Sequence, residues 1–143
     1  MVARAAEAEW QGSLEQGAGK VRFGSGAFEG RYSFATRFGD EKGTNPEELI
    51  AAAHASCFSM ALALGLGQAG FTPRRIHTSA KVQIDRVPDG FKITRIALDT
   101  DADVPGIDEM KFGAEAEAAR RNCPVSRALA GTEITLRAHL EKH

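Results

Sequence analysis

Cysteine is scarce, with two in 143 residues. That excludes a disulfide-dense secreted scaffold. Excess charge of either sign is also missing. The chain has 18 Lys and Arg against 19 Asp and Glu, a formal net charge of −1, so it lacks the basic footprint of a nucleic-acid binder. The start, MVARAAEAEWQGSLEQG, holds no apolar core of the signal-peptide kind. No internal repeat, low-complexity tract or linker is visible. A 43% hydrophobic share beside 26% charged residues argues against disorder. A chain of this length buries roughly 70% of its unfolded surface without staples. The expectation is one cytoplasmic domain over residues 1–143 with no nucleic-acid partner.

Long hydrophobic runs are equally rare. There is one, Leu49 to Leu66 (LIAAAHASCFSMALALGL), 18 residues without Asp, Glu, Lys or Arg. Its length alone would allow a membrane span. Its Ala, Gly and Ser content and its histidine weaken that reading, and the rest of the chain reads as strands. A buried core helix is the better expectation, with no membrane partner. An uncharged helix must be covered nearly all round, and one small subunit has little mass to cover it. A second subunit would supply the cover.

Strand-like alternation appears in Glu7 to Gly12, Lys20 to Gly24 and Phe28 to Phe34, with Gly24 and Gly26 suited to a hairpin turn. A polar loop, Gly39 to Gly43, leads to Thr44-Asn45-Pro46-Glu47-Glu48. Here Asn45 can cap a helix with Pro46 in its first position. Thr44 with Glu47 is the competing capping box. Both carboxylates lie in the first turn, where the helix dipole favours them. The helix should run to Gly70, where Gly and then Pro73 mark its end. Arg75 to Val87 places Ile76, Ala80, Val82 and Ile84 on one face, and Gly90 to Thr100 alternates Phe91, Ile93 and Ala97. Pro88-Asp89-Gly90 joins them as a hairpin. Asp108 to Asn122 reads as an amphipathic helix, Val125 to Ala130 as a short one, and Thr132 to Glu141 as a last strand.

Few residues could carry chemistry. Cys57 lies inside the apolar helix, where a cysteine is usually an inert small hydrophobe and burial raises its pKa. Cys123 precedes Pro124, which can open a helix, and a helix start lowers a thiol pKa. It could equally be a simple cap. Arg120, Arg121 and Arg127 add positive charge nearby. One poised and one buried cysteine leave open a redox couple, since cytosolic disulfides are usually transient and catalytic. The four histidines show no metal-ligand spacing with either cysteine, so no metal is expected. His54, three residues before Cys57, shares its face, yet no oxyanion donors can be named in mid-helix. Arg37 follows the third strand segment. A surface arginine there is usually solvated, but a buried thiolate requires a cation and Arg37 could be one.

These residues resemble a known family. Thr36-Arg37-Phe38, the stretch Glu41 to Leu62 (EKGTNPEELIAAAHASCFSMAL), Val104-Pro105-Gly106-Ile107 and Asn122-Cys123-Pro124-Val125-Ser126 closely resemble the osmotically inducible protein C (OsmC) family. The related organic hydroperoxide resistance (Ohr) proteins share the Asn-Pro-Glu start and both cysteines, but differ around the first cysteine. The departures lie mainly in Ser25 to Arg31. The resemblance implies an α+β, OsmC-like fold: an intertwined homodimer with β-sheets wrapped around long central helices. It implies a stress-defence, thiol-dependent peroxidase that reduces organic hydroperoxides to alcohols. By position, Cys57 matches the peroxidatic cysteine, Cys123 the resolving one, Arg37 the family arginine and Glu47 its glutamate partner, with Glu48 the neighbour that could be confused with it. It implies no bound cofactor, an external dithiol reductant, lipoyl-linked or small, and a Cys57–Cys123 disulfide after a Cys57 sulfenic acid. Phe58, Met60 and Ile50 would supply an apolar wall favouring alkyl peroxides. The alternative is a non-catalytic stress-related binding module with the same fold.

Overall fold

Six strands and four helices build an α+β chain, and the computed structural model describes all of residues 1–143. They fall into two compact units, residues 1–49 and 50–143. In the first, β1 (Ala6–Gln11), β2 (Ala18–Phe23) and β3 (Glu29–Tyr32) form an antiparallel sheet in that order. Gly19 pairs with both Trp10 and Tyr32. A Cβ there would lie 2.5 Å from the Tyr32 ring. The glycine makes room for that ring to meet Trp10, with centroids 5.4 Å apart.

The third strand ends at Tyr32, short of the Phe34 expected from alternation. Ser33 starts a short helix, α1 (Phe34–Phe38). Its hydroxyl accepts the Thr36 N–H at 3.2 Å, and the Thr36 hydroxyl accepts the Ser33 N–H at 2.8 Å, a reciprocal cap. Phe34 and Phe38 then meet at helical spacing, centroids 5.0 Å apart. Arg37 therefore sits on the last turn of a helix rather than after a strand.

The long helix α2 (Pro46–Gln68) begins in the first unit and runs through the second. Asn45 is its cap, its side-chain oxygen accepting the Glu48 N–H at 2.8 Å. One stripe of α2 (His54, Phe58, Leu62 and Leu66, spaced every four residues) has no exposure at all. The opposite side is open: Met60 is 75% and Leu64 62% exposed. Within this chain the apolar helix is thus covered along one side, not all round. Phe58 and Met60 lie on different sides, so they do not form one apolar wall.

In the second unit, β4 (Arg75–Val87), β5 (Gly90–Asp103) and β6 (Glu133–Leu140) form a sheet with β5 central. The bounds of β4 are those expected. The face of β5 is not. Its core side carries Ile96, Leu98, Thr100 and Ala102, rather than continuing from Phe91 and Ile93 to Ala97. The cause is a bulge. Ile84 pairs with Ile93 and Gln83 with Arg95, so Thr94 has no opposite residue, and an extra residue flips every side chain beyond it. The Thr94 hydroxyl donates to Asp85 across the hairpin.

The β5–β6 pair is parallel and needs a crossover, supplied by α3 (Glu109–Asn122) and α4 (Pro124–Ala128). Asp108 caps α3 by accepting the Lys111 N–H at 2.7 Å. Phe112, Ala116 and Ala119 point inward to Phe58, Leu62, Leu66 and the β5 residues. A polar thread crosses this core: the Ser59 hydroxyl donates to Thr78 at 2.8 Å, and Thr78 meets the fully buried Thr100 at 3.0 Å.

Candidate active site

The first unit buries polar groups rather than a large apolar core. Thr36, Thr44 and Glu47 are each under 10% exposed. The Thr36 hydroxyl donates to the Thr44 carbonyl at 2.7 Å, and the Asn45 amide donates to the Thr36 carbonyl at 3.0 Å. The turn between α1 and α2 is tied down by these bonds. Gly43 is required there, because a Cβ would lie 2.7 Å from the Thr36 methyl and 2.8 Å from the Arg31 carbonyl oxygen. The result aligns two charges. Arg37 Nε donates to Glu47 Oε1 and Nη2 to Oε2, both at 2.9 Å. This planar two-point pair is beyond a lysine. The guanidinium also lies 5.3 Å from the centre of the Phe38 ring. Glu48, by contrast, is exposed and serves the helix start.

The second unit brings the two cysteines together. Both are free thiols, Cys57 partly exposed and Cys123 fully buried. Cys123 closes α3, its N–H reaching the Ala119 carbonyl at 2.9 Å, and opens α4. Pro124 cannot donate to α3 and holds the residue before it extended; Cys123 has ψ 130°. Its sulfur thereby accepts the Ser126 N–H at 3.4 Å. The Cys57 and Cys123 side chains act on each other electrostatically, and the Val125 backbone favours the charged form of both sulfurs.

The two thiols differ in acidity. Burial pushes Cys57 up, the Val125 N–H only partly opposes this, and the neighbouring Cys123 raises it further. Burial also penalises the Cys123 thiolate. There the Ser126 N–H and hydroxyl, the Cys57 thiol and the Val125 N–H outweigh it, so Cys123 lies below the ordinary thiol value. These environments favour the charged form of Cys123 over that of Cys57, and a Cys57 thiolate needs help from a further positive charge.

His54, weighed from the sequence only as a partner of Cys57, takes a different partner. His54, with no exposure, puts Nε2 2.7 Å from the Ser126 hydroxyl oxygen, and burial lowers its pKa. No sequence signal joins residues 72 positions apart. His54 bonds Ser126 rather than forming a nucleophile pair with Cys57. For a metal, the nearest set is Asp103, Glu141 and His143, whose ligand atoms lie within 4.8 Å of one another. It offers three donors already engaged in ion pairs, His143 with Asp103 at 2.9 Å and Arg75 with Glu141 at 3.2 Å.

The fold and the thiol pair define a dithiol protein of α+β architecture. Comparison with known proteins narrows this. The family model of OsmC-like proteins matches residues 39–137. Peroxiredoxin OsmC of Escherichia coli (strain K12) is 53% identical over 131 residues, 91% of each chain. An organic hydroperoxide resistance protein of Xanthomonas axonopodis pv. citri (strain 306) is 35% identical over 99 residues, 66% of each. The crystal structure of an organic hydroperoxide resistance protein OsmC from Legionella pneumophila shares the fold, with TM-score 0.73 at 22% identity, covering 99% of this chain and 100% of that one. The chain belongs to the OsmC-like protein family.

Two interacting thiols titrate as a pair. The thiolate absorbance of the reduced protein should rise in two steps, one below and one above the ordinary thiol value of about 8.5. The lowered Cys123 and raised Cys57 set these directions. A single step at the ordinary value would contradict them.

Proposed function

We propose that the chain is a cysteine-based peroxidase that reduces organic hydroperoxides to alcohols in stress defence. The interacting pair of free thiols Cys57 and Cys123, the chain's only cysteines, carries this reading. The names of the relatives from Escherichia and Xanthomonas support it. Cys57 is the thiol with exposure, so it meets the peroxide. Its thiolate attacks one peroxide oxygen, the O–O bond breaks, and the alkoxide leaves and takes a proton. Cys57 becomes a sulfenic acid. The Cys123 thiolate attacks that sulfur and expels hydroxide, which forms a disulfide and protects Cys57 from irreversible oxidation. An external dithiol, small or lipoyl-linked, restores both thiols, with no bound cofactor.

Arg37 is assigned the cation that offsets the burial cost of the Cys57 thiolate and steadies the leaving oxygen. Glu47 occupies its Nε and Nη2, which leaves Nη1 free for this work. The working form is assigned as a cytoplasmic homodimer. The open side of α2, with Met60 and Leu64, supports a second copy as its cover. Residues 1–143 then act as one catalytic unit within that dimer.

Turnover of cumene hydroperoxide with dithiothreitol tests the activity. Wild-type protein should turn over and Cys57→Ser should not; no wild-type turnover would favour a binding module. Arg37→Lys should be nearly as harmful as Arg37→Ala, with a rate loss of roughly a hundredfold, since each ~1.4 kcal/mol of barrier is tenfold. Glu47→Ala should lose less and Glu48→Ala little. Near wild-type turnover in Arg37→Lys, or a costlier Glu48, would overturn the pair's role. Sedimentation should give a dimer at micromolar concentration, and a stable, active monomer would contradict the assembly.

A further inference from the structure

His54 is a fully buried, titratable side chain that the mechanism above leaves idle. It lies on the same buried stripe of α2 as Phe58. Its Nε2 is 2.7 Å from the Ser126 hydroxyl oxygen, while its Nδ1 is buried with no hydrogen-bond partner. That asymmetry selects a tautomer. A buried N–H without a partner costs its full desolvation, whereas an unfilled acceptor position is tolerated more readily. The proton of the neutral ring therefore belongs on Nε2, donating to Ser126. With its oxygen accepting from His54, the Ser126 hydroxyl keeps its own hydrogen for the adjacent Cys123 sulfur, whose charged form it favours. The Ser126 backbone N–H points at the same sulfur from 3.4 Å. All donors in this chain run one way, toward Cys123.

We propose that His54 is a positioning residue: through the Ser126 hydroxyl it holds the Cys123 sulfur as the leaving thiolate when the Cys57–Cys123 disulfide is reduced, which directs the incoming dithiol to Cys57. This rests on the peroxidase reading above for the disulfide. The reductant thiolate attacks Cys57 Sγ and the disulfide bond breaks. Its electron pair goes to Cys123 Sγ, which the Ser126 donors receive. The product is a mixed disulfide on Cys57. The second thiol of the reductant then attacks its own bound sulfur, forms the reductant's disulfide and passes its proton to Cys57. The better-stabilised thiolate leaves faster, and the partial exposure of Cys57 against the full burial of Cys123 favours the same sulfur for attack.

Of the other titratable and charged groups, Cys57 acts on Cys123 and His54 bonds Ser126 from α2, while Arg120 and Arg121 stand at the end of α3 and Arg127 on α4. The first two arginines are paired with Glu117, and all three line a surface cavity of about 360 Å³. None of them is changed in the test. In a Cys57→Ser background, thiolate absorbance titrates Cys123 alone. Ser126→Ala and His54→Leu should each move its midpoint up by about one pH unit, and His54→Gln, which keeps an N–H at similar reach, should restore it. A purely structural role would lower the melting temperature and leave the midpoint in place; that result in folded Ser126→Ala overturns the proposal. Independently, wild-type protein oxidised with diamide and treated with limiting 2-mercaptoethanol should carry the adduct on Cys57 by peptide mass spectrometry. An adduct on Cys123 overturns it. Because diamide makes the disulfide without peroxide, these outcomes are separate from a failure of hydroperoxide turnover, which would sink the peroxidase reading alone.

Discussion

One negative charge shared by two sulfurs at the start of α4 is the constraint on which the chemistry turns. Pro124 breaks the run from α3 and leaves Cys123 extended, and the Ser126 N–H then faces the Cys123 sulfur. A hydrogen bond to a charged group is worth about 1.5–3 kcal/mol, and one pK unit is about 1.4 kcal/mol. The donors around Cys123 outweigh its burial, and its thiol lies below the ordinary value. The same does not hold for Cys57, which receives one backbone donor and a neighbour competing for the charge. In the division of labour proposed here, the buried sulfur holds charge and the partly exposed sulfur meets substrate.

The two units solve different problems with different materials. The second has an apolar core, in which α2, β5 and α3 interlock through Phe58, Leu62, Ile96, Leu98 and Phe112. The first buries Thr36, Thr44 and Glu47 and binds them by side-chain to backbone bonds. Rigidity there comes from hydrogen bonds rather than volume, which suits a segment whose product is the orientation of one guanidinium. Bidentate pairing costs Arg37 two of its three nitrogens but fixes the plane of the third.

Much of this was legible in the chain itself. Asn45-Pro46 marked the start of α2, and the hairpin of β4 and β5 was visible through Pro88-Asp89-Gly90. The α+β fold and the OsmC family followed from the long helix motif. Local periodicity failed where one residue changes its meaning. Thr94 is an unpaired residue in an otherwise regular ladder, and nothing in its alternation announces the flip of face that follows. Ser33 ends a strand whose apolar spacing runs on to Phe34, because Phe34 and Phe38 satisfy a helical rhythm as well. The contact of His54 with Ser126 joins two elements through tertiary packing alone. Arg37 and Glu47 were singled out by resemblance, and their shared plane comes from the bonds around Thr36 that no spacing rule describes.

The central claim is that Cys57 attacks and Cys123 resolves. Trapping with dimedone after one equivalent of cumene hydroperoxide addresses it directly, with peptide mass spectrometry to locate the adduct. The Cys123→Ser variant should carry dimedone on Cys57, and the Cys57→Ser variant should carry none. An adduct on Cys123 in the Cys57→Ser variant, with none on Cys57 in the other, would contradict the account.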